Sequence, residues 1–424
     1  MRPHIEILSM ALLSLGVWLH AIPVQAQQHL TLYNFGHLND GELPYGALIA
    51  DANGILYGTT SRGGVHNSGT VFALNPPAVA GRAWTETQLL SFDGEKGGSQ
   101  PLAGLAFGSD GVLYGTTSAG GSDGAGLVFS LTPPAAPGGD WTETVLYNFT
   151  GDPDGFSPNY GPLLLSQSGA LYGMTSEGGA NGVGAAYSLT PPQIPGGAWM
   201  EKVLWSFGTG MDGSYPLGGL VEDANGVLYG GASGGGAHGQ GMLFSLTPLA
   251  GGAGAWTESV LYNFLGGTDG TSPVGNLTIG TLLQHPFVLY GVTAMGGGPT
   301  NEGVAYTLIP PGKPSGAWTE TIMYKFSTIG TRQYNPRSGF AVSPDGTLYV
   351  TASLGGLGPY GGVIQLKPPQ QAGDRWKQAF LFHFIGTNGN NPAGGLLYLN
   401  GVLYGTTYLG GEQNYGVVYS WNTE

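Results

Sequence analysis

Val112-Leu113-Tyr114-Gly115-Thr116-Thr117, running into Gly120-Gly121, is the stretch on which the fold turns. Its β-branched and aromatic residues read as a strand, and the glycine pair behind them ends it. The same anchor, Leu-Tyr followed by Gly and small or β-branched residues, occurs seven times, with tyrosines at Tyr57, Tyr114, Tyr172, Tyr229, Tyr290, Tyr349 and Tyr404. Separations of 57, 58, 57, 61, 59 and 55 residues describe one repeating unit with small loop insertions.

Working outward from the anchor, Leu102 to Phe107 reads as a preceding strand, called a, which meets the anchor strand b across Asp110-Gly111. Equivalent turns hold Asn53-Gly54, Asn225-Gly226, Asp345-Gly346 and Asn400-Gly401. Such dipeptides predict two-residue type I′ hairpins with positive φ at both central positions. Strand c follows the glycine pair, as in Gly69 to Leu74, and Pro76-Pro77 stops it, because proline cannot donate to a ladder. Strand d starts at Trp141, with equivalents at Trp84, Trp199, Trp256, Trp318 and Trp376. Period-two alternation puts Trp141, Glu143, Val145 and Tyr147 on one face and Thr142, Thr144, Leu146 and Asn148 on the other. Both faces carry apolar groups, as expected of a sheet sandwiched between neighbours.

Four short strands cannot bury a core alone, so the units must stack, and neither end of the array looks like a polar cap. Radial closure solves both problems. The expected fold is an all-β, seven-bladed β-propeller of four-stranded antiparallel blades, one domain over residues 27–424. The chain starts with a lone strand d, His29 to Phe35, and ends with a, b and c between Gly394 and Ser420. The first strand is therefore expected to complete the seventh blade. The d-to-a and b-to-c loops would then share one face, with the a-to-b and Pro-rich c-to-d connections on the other.

Residues 1–26 read as a signal peptide, with Arg2, an apolar stretch from Ile7 to Leu19, and Val24 and Ala26 placed for cleavage. That stretch is shorter than the ~20 residues needed to span a bilayer. A secreted or periplasmic protein with no transmembrane segment in the mature chain is the expectation. With no cysteine, the chain has no disulfides and no thiol chemistry. A net charge of −14, from 26 acidic and 12 basic residues, disfavours nucleic acid and acidic lipid surfaces. Gly alone supplies 80 residues, but 22 Tyr, 16 Phe and 9 Trp in register argue against disorder.

With Gly-Gly after the second strand and Trp opening the fourth, the unit resembles a longer kelch repeat. More specifically, the Leu-Tyr-Gly-Thr-Thr, Gly-Gly, Gly-Thr-Val-Phe and Pro-Pro series resembles the GloVer tandem-repeat family of exported bacterial proteins, over residues 29 to 421. That resemblance implies a propeller-like fold, carries over no activity, and brings a variable C-terminal surface anchor in many members. Here the sequence ends at Asn422-Thr423-Glu424, directly after strand c, so a free rather than anchored form is expected.

No His-Glu-x-x-His, phosphate loop, nucleophile elbow or Cys-His metal set is present. The galactose-oxidase type of copper centre would need a cysteine. His29, His37, His66, His238, His285 and His383 fall at unrelated places in the repeat, and no cofactor is expected. Glu86, Glu143, Glu201, Glu258 and Glu320 recur two residues after the strand d tryptophan and read as structural. The d-to-a junction repeats Asp-Gly-x-x-Pro at Asp40, Asp154, Asp212 and Asp269, with Asn388 in the same place and Gly97 and Arg332 in the other two repeats. These are turn residues first. They are also the candidate binding residues, ringing one mouth of the channel for a polyhydroxy ligand or a cation, calcium being left open.

The variable b-to-c loops add His66, Asp123, Asn181, His238, Asn301, Tyr360 and Tyr415 to that face. Repeat six, with Lys325, Arg332, Tyr334 and Arg337, departs most from the pattern. The leading expectation is a non-catalytic binding or scaffolding module, a monomer, whose partner is a glycan, a peptide or a cell-envelope component. The alternative is a polysaccharide- or peptide-acting hydrolase or lyase with its site in the propeller mouth.

Overall fold

In a computed structural model, residues 29–423 are described, apart from 38, 80, 137, 159, 195, 250–253, 314–315 and 328–332. The signal-peptide reading and Arg332 lie outside the described residues. Seven antiparallel sheets follow one another as the blades of a propeller, and no helix occurs among the described residues. In the first blade, Gly41–Pro44 and Ile49–Ala50 both pair with Leu56–Gly63, which is followed by Thr70–Asn75 and Thr85–Ser91. The last blade orders Leu397–Leu399, Val402–Thr407, Val417–Asn422 and then His29–Asn34. As the repeat phase predicts, the first strand closes the ring.

The blades lie where their hydrophobic surface demands. Seven buried clusters form, each joining two adjacent blades: Tyr57 and Val71 meet Phe92, Leu113 and Phe129, and Phe35 and Val418 meet Leu56 and Phe72. The core is thus between blades, which is why one unit would not stand alone. The anchor glycine makes the closest fit inside this core. A Cβ on Gly58 would lie 2.6 Å from Phe72 Cζ, and one on Gly115 would lie 2.5 Å from Phe129 Cζ. Each glycine faces its aromatic across the b–c ladder. In the sixth blade both members change together, to Val350 opposite Ile364.

Three local expectations are corrected. The a-to-b turns are mostly not type I′: Gly54, Gly111, Gly226 and Gly346 have positive φ, whereas Asn53, Asp110, Asn225 and Asp345 do not. Asp51 shows why. Its carboxylate accepts the Asn53 and Ile55 N–H groups, and Gly54 N–H donates to Asp51 C=O, a type I turn closed by a left-handed glycine. Only Asn400-Gly401 has both residues at positive φ.

Strand a over Leu102 to Phe107 shrinks to Ala106–Phe107. Next to the axis, neighbouring blades meet backbone to backbone, so a Cβ on Gly46 would lie 2.6 Å from Ala103 O. That segment bonds sideways, Thr59 Oγ1 of the first blade donating to Ala103 O at 2.9 Å.

Alternation along strand d is broken by a β-bulge in every blade, at Leu32, Leu89, Leu146, Leu204, Leu261, Met323 and Leu381. Val145 is therefore turned outward, 36% exposed, while Leu146 and Tyr147 are half-buried.

Candidate functional site

Each d-to-a junction is pinned by its proline. The residue before it adopts a left-handed backbone in all seven repeats: Leu43, Gln100, Ser157, Tyr215, Ser272, Asn335 and Asn391 have φ between 54° and 60°. This is a costly conformation for a non-glycine residue, and costlier before proline. It turns the N–H toward the preceding blade's b-to-c loop: Leu43 donates to Tyr415 O at 2.8 Å, Gln100 to Ser68 O at 2.9 Å and Asn391 to Tyr360 O at 3.0 Å.

The aspartates opening these junctions serve the same frame. Asp40 and Asp154 are buried. Asp40 accepts Tyr33 OH at 2.9 Å and Gly36 N–H at 3.1 Å. Asp154 accepts Tyr147 OH at 2.6 Å and the Thr150 N–H and hydroxyl. Asp212 accepts Trp205 Nε1 at 3.0 Å, Asp269 accepts Tyr262 OH at 3.1 Å, and Asn388 caps Ile385 N–H at 2.9 Å. In the second repeat Asp93 takes over, accepting the Glu95 and Gly97 N–H groups. The carboxylates are thus held by the outer strand that precedes them and by the turn, not gathered at one point.

The recurrent glutamates belong to this frame too. Burial, and then the charge of a junction aspartate, pushes Glu86, Glu143, Glu201, Glu258 and Glu320 up to about 7. The aspartates are Asp40, Asp93, Asp154, Asp212 and Asp269 respectively. One oxygen of each glutamate is buried without a hydrogen-bond partner. Gln378 stands at the same strand position in the sixth blade and His29 in the seventh. His29 stacks on Phe382 at 4.0 Å, and burial lowers its pKa to about 4, so this position stays uncharged there.

Of the loop candidates, His66 and His238 are exposed in separate b-to-c loops. Tyr360 and Tyr415 lie at the interblade clasp, their rings against Gly386 and Gly36 of the next junction. None of the nine nominated residues lines the axial cavity.

What converges on the axis is a different set. One cavity of about 170 Å3 is lined by Tyr45, Tyr160, Leu217, Val274, Asn276, Arg337 and Ala393, together with small neighbours, from six of the seven blades. Most of these residues directly follow the junction proline, the position where the repeat stops repeating. Tyr45 is 5.3 Å from Tyr160 and 5.7 Å from Tyr408, ring to ring. Tyr408 stands where Ser61, Ser118, Ser176, Ser233 and Ser353 bond back to the pre-proline carbonyl. Burial raises the Tyr45 hydroxyl, opposed by the charge of the Arg337 guanidinium.

Arg337 belongs to the deviant sixth repeat, where sequence pointed. Tyr45, Tyr160 and Tyr408 belong to no motif, although two of them break the repeat: Tyr408 stands where most repeats have serine, and Tyr160 follows one extra residue after Pro158. The opposite face has a larger groove, of about 470 Å3, between Gly280–Leu283 and Ser343–Gly346.

No curated protein matches this chain. Among solved structures, the polysaccharide lyase Uly1 superposes with a TM-score of 0.54 at 12% identity, over 96% of this chain and 94% of its own. A Trypanosoma rangeli sialidase gives 0.41 at 11% identity, over 77% and 54%. An ulvan lyase of a new polysaccharide lyase family gives 0.40 at 11%, over 71% and 78%. At 12% identity the likeness to Uly1 is one of fold alone. In sequence, residues 79–283 match the Gloeobacter/Verrucomicrobia repeat family. The chain is a seven-bladed propeller whose residues 79–283 match that repeat.

Proposed function

We propose that this chain is an exported, non-catalytic binding propeller of the cell envelope or extracellular space, taking a saccharide at the mouth of its axial channel. One observation carries the reading: Tyr45, Tyr160 and Tyr408 meet at the axis beside Arg337, over a cavity built from six blades. Aromatic faces with hydroxyl tips suit sugar rings, which present C–H faces and polar edges. The loops carrying Asp40, Asp154, Asp212, Asp269, Asn388, His66, His238, Tyr360 and Tyr415 form the rim around it. One copy holds the whole site, and the reading needs no cofactor.

Binding is favoured over hydrolase or lyase chemistry by the state of the groups at hand. A base must be deprotonated near working pH, and burial holds the Tyr45 hydroxyl above its ordinary value. Tyr45 is a hydrogen-bond donor rather than a proton acceptor there. The test is a glycan screen of the full chain against its Tyr45→Ala/Tyr160→Ala variant, followed by chromatography of whatever binds. Binding lost in the variant, with the saccharide recovered intact, is expected. Cleavage products, or equal binding by the variant, would refute it.

A further inference from the structure

Granting that the axial mouth is a binding site, we infer that its ligand is anionic: a saccharide unit bearing a carboxylate, paired with Arg337 and stacked among the tyrosines. Among the described residues lining the cavity, Arg337 alone is charged. At the equivalent axis-facing place the other blades carry Tyr45, Leu102, Tyr160, Leu217, Val274 and Ala393, all uncharged. A cation has therefore been placed at one position of a ring that is otherwise neutral.

Its surroundings do not neutralise it. Acidic residues outnumber basic ones 26 to 12 in this chain, and carboxylates stand at five of the blade junctions. None of the described carboxylates lines the cavity. The titratable group on which its charge acts in the cavity is the neutral Tyr45 hydroxyl. A guanidinium presents planar paired N–H donors that match a carboxylate in two parallel hydrogen bonds, roughly twice as strong as neutral ones. Exposed at the edge of a partly apolar cavity, that charge is free to pair with an incoming carboxylate.

The rest of the lining sets the size and the class. A space of about 170 Å3 is close to the roughly 150 Å3 cavity that holds one six-membered ring. The tyrosine rings meet at 54° and 80°, so they make an angled corner rather than a flat platform. Such a corner offers a sugar ring aromatic surface at more than one inclination. Asn276 completes the polar set; its Oδ1 accepts Gly219 N–H at 2.6 Å, which leaves its amide nitrogen as the donor end.

Calorimetry with tetragalacturonate and its fully methyl-esterified form separates charge from shape, since the ester keeps the sugar and loses the anion. Wild-type protein should bind the acid form at least tenfold more tightly than the ester, and added salt should narrow the gap. Arg337→Leu should bring the acid down to the affinity of the ester, and Arg337→Lys should recover part of the loss. Arg337 is exposed, so thermal melting should show each variant folded as wild type.

If wild-type protein binds acid and ester equally, the charge inference is wrong and the binding-site reading stands. If the acid preference survives Arg337→Leu, the anion is held elsewhere and the inference again fails. If neither form binds, both readings fall.

Discussion

The blade junctions and the axial mouth are built from the same repeats and obey opposite rules. At the junctions the same chemistry recurs: a capped acid, a left-handed residue before proline, and an N–H given to the previous blade. Asp40 with Tyr33 and Asp154 with Tyr147 are near copies, and Asp212 uses Trp205 and the Gly213 N–H instead. A few residues away on the axis the side chain varies: Leu102, Leu217, Val274 and Ala393 are aliphatic of different sizes, whereas Tyr45 and Arg337 hold the same place in their blades. Repetition marks what each blade needs in order to pack. Its loss marks where packing no longer dictates the side chain, so that a ligand is free to.

The contrast breaks most violently if closure is not what stabilises the junctions. Removing residues 29–36 strips the outer strand from the seventh blade and exposes Val417 and Tyr419 of one core cluster and Val418 of the next. The expected result is a melting temperature lower by on the order of 10 °C, or loss of soluble protein. A truncated chain that melts like wild type would show that the ring does not depend on it.

A smaller but more pointed effect is expected inside one blade. Gly115→Val should cost about 1–3 kcal/mol by overpacking against Phe129. Adding Phe129→Ile recreates the Val350–Ile364 pair of the sixth blade and should restore most of it. Denaturant melts of the single and double variants decide the matter, and purely additive losses would contradict it.

The glutamates sharpen the comparison through pH. Their folded pKa values of about 7 exceed the ordinary 4.5, so the folded state holds more protons between those limits. Their contribution is complete below pH 4.5 and is lost as pH rises through 7. His29, lowered from 6.5 to about 4, acts in the opposite sense, contributing above pH 6.5 and losing that as pH falls through 4. Five groups against one should make the protein melt several degrees higher at pH 5.5 than at pH 8. Glu201→Gln, imitating Gln378, should raise the pH 8 value and shrink the difference. An unchanged difference in that variant would mean the glutamates do not carry it.

The smallest expected effect on stability is at the axis. Tyr160 is 40% exposed, and Tyr160→Ala should shift unfolding by no more than about 0.5 kcal/mol. Loss of saccharide binding at unchanged stability is the signature sought. A large destabilisation would make Tyr160 a packing residue and erase the contrast.

Much of this was legible in advance because it recurs. The blade number, the four-strand unit and closure by His29–Asn34 follow from the spacing of seven Leu-Tyr anchors and the phase of the first strand. Turn type was less legible. Asn53-Gly54 and Asn400-Gly401 look alike, yet an aspartate two residues upstream, Asp51, captures the backbone and selects the type I geometry. The bulge at Leu146 and its six counterparts was invisible, since alternation assumes an unbroken ladder.

For the site the balance reverses. The repeated aspartates drew attention because they recur, and the structure shows the framework reason for their recurrence in Tyr33, Tyr147, Trp205 and Tyr262. Arg337 could be flagged from sequence as an irregularity, but not Tyr45 or Tyr408 as its neighbours. Sequence alone determined the periodic part of this protein, because identical units pack by identical local rules. Only the tertiary structure decided which irregular side chains meet. Residues 45, 160, 337 and 408 are brought within reach of one another by ring closure, a global constraint that no local pattern encodes.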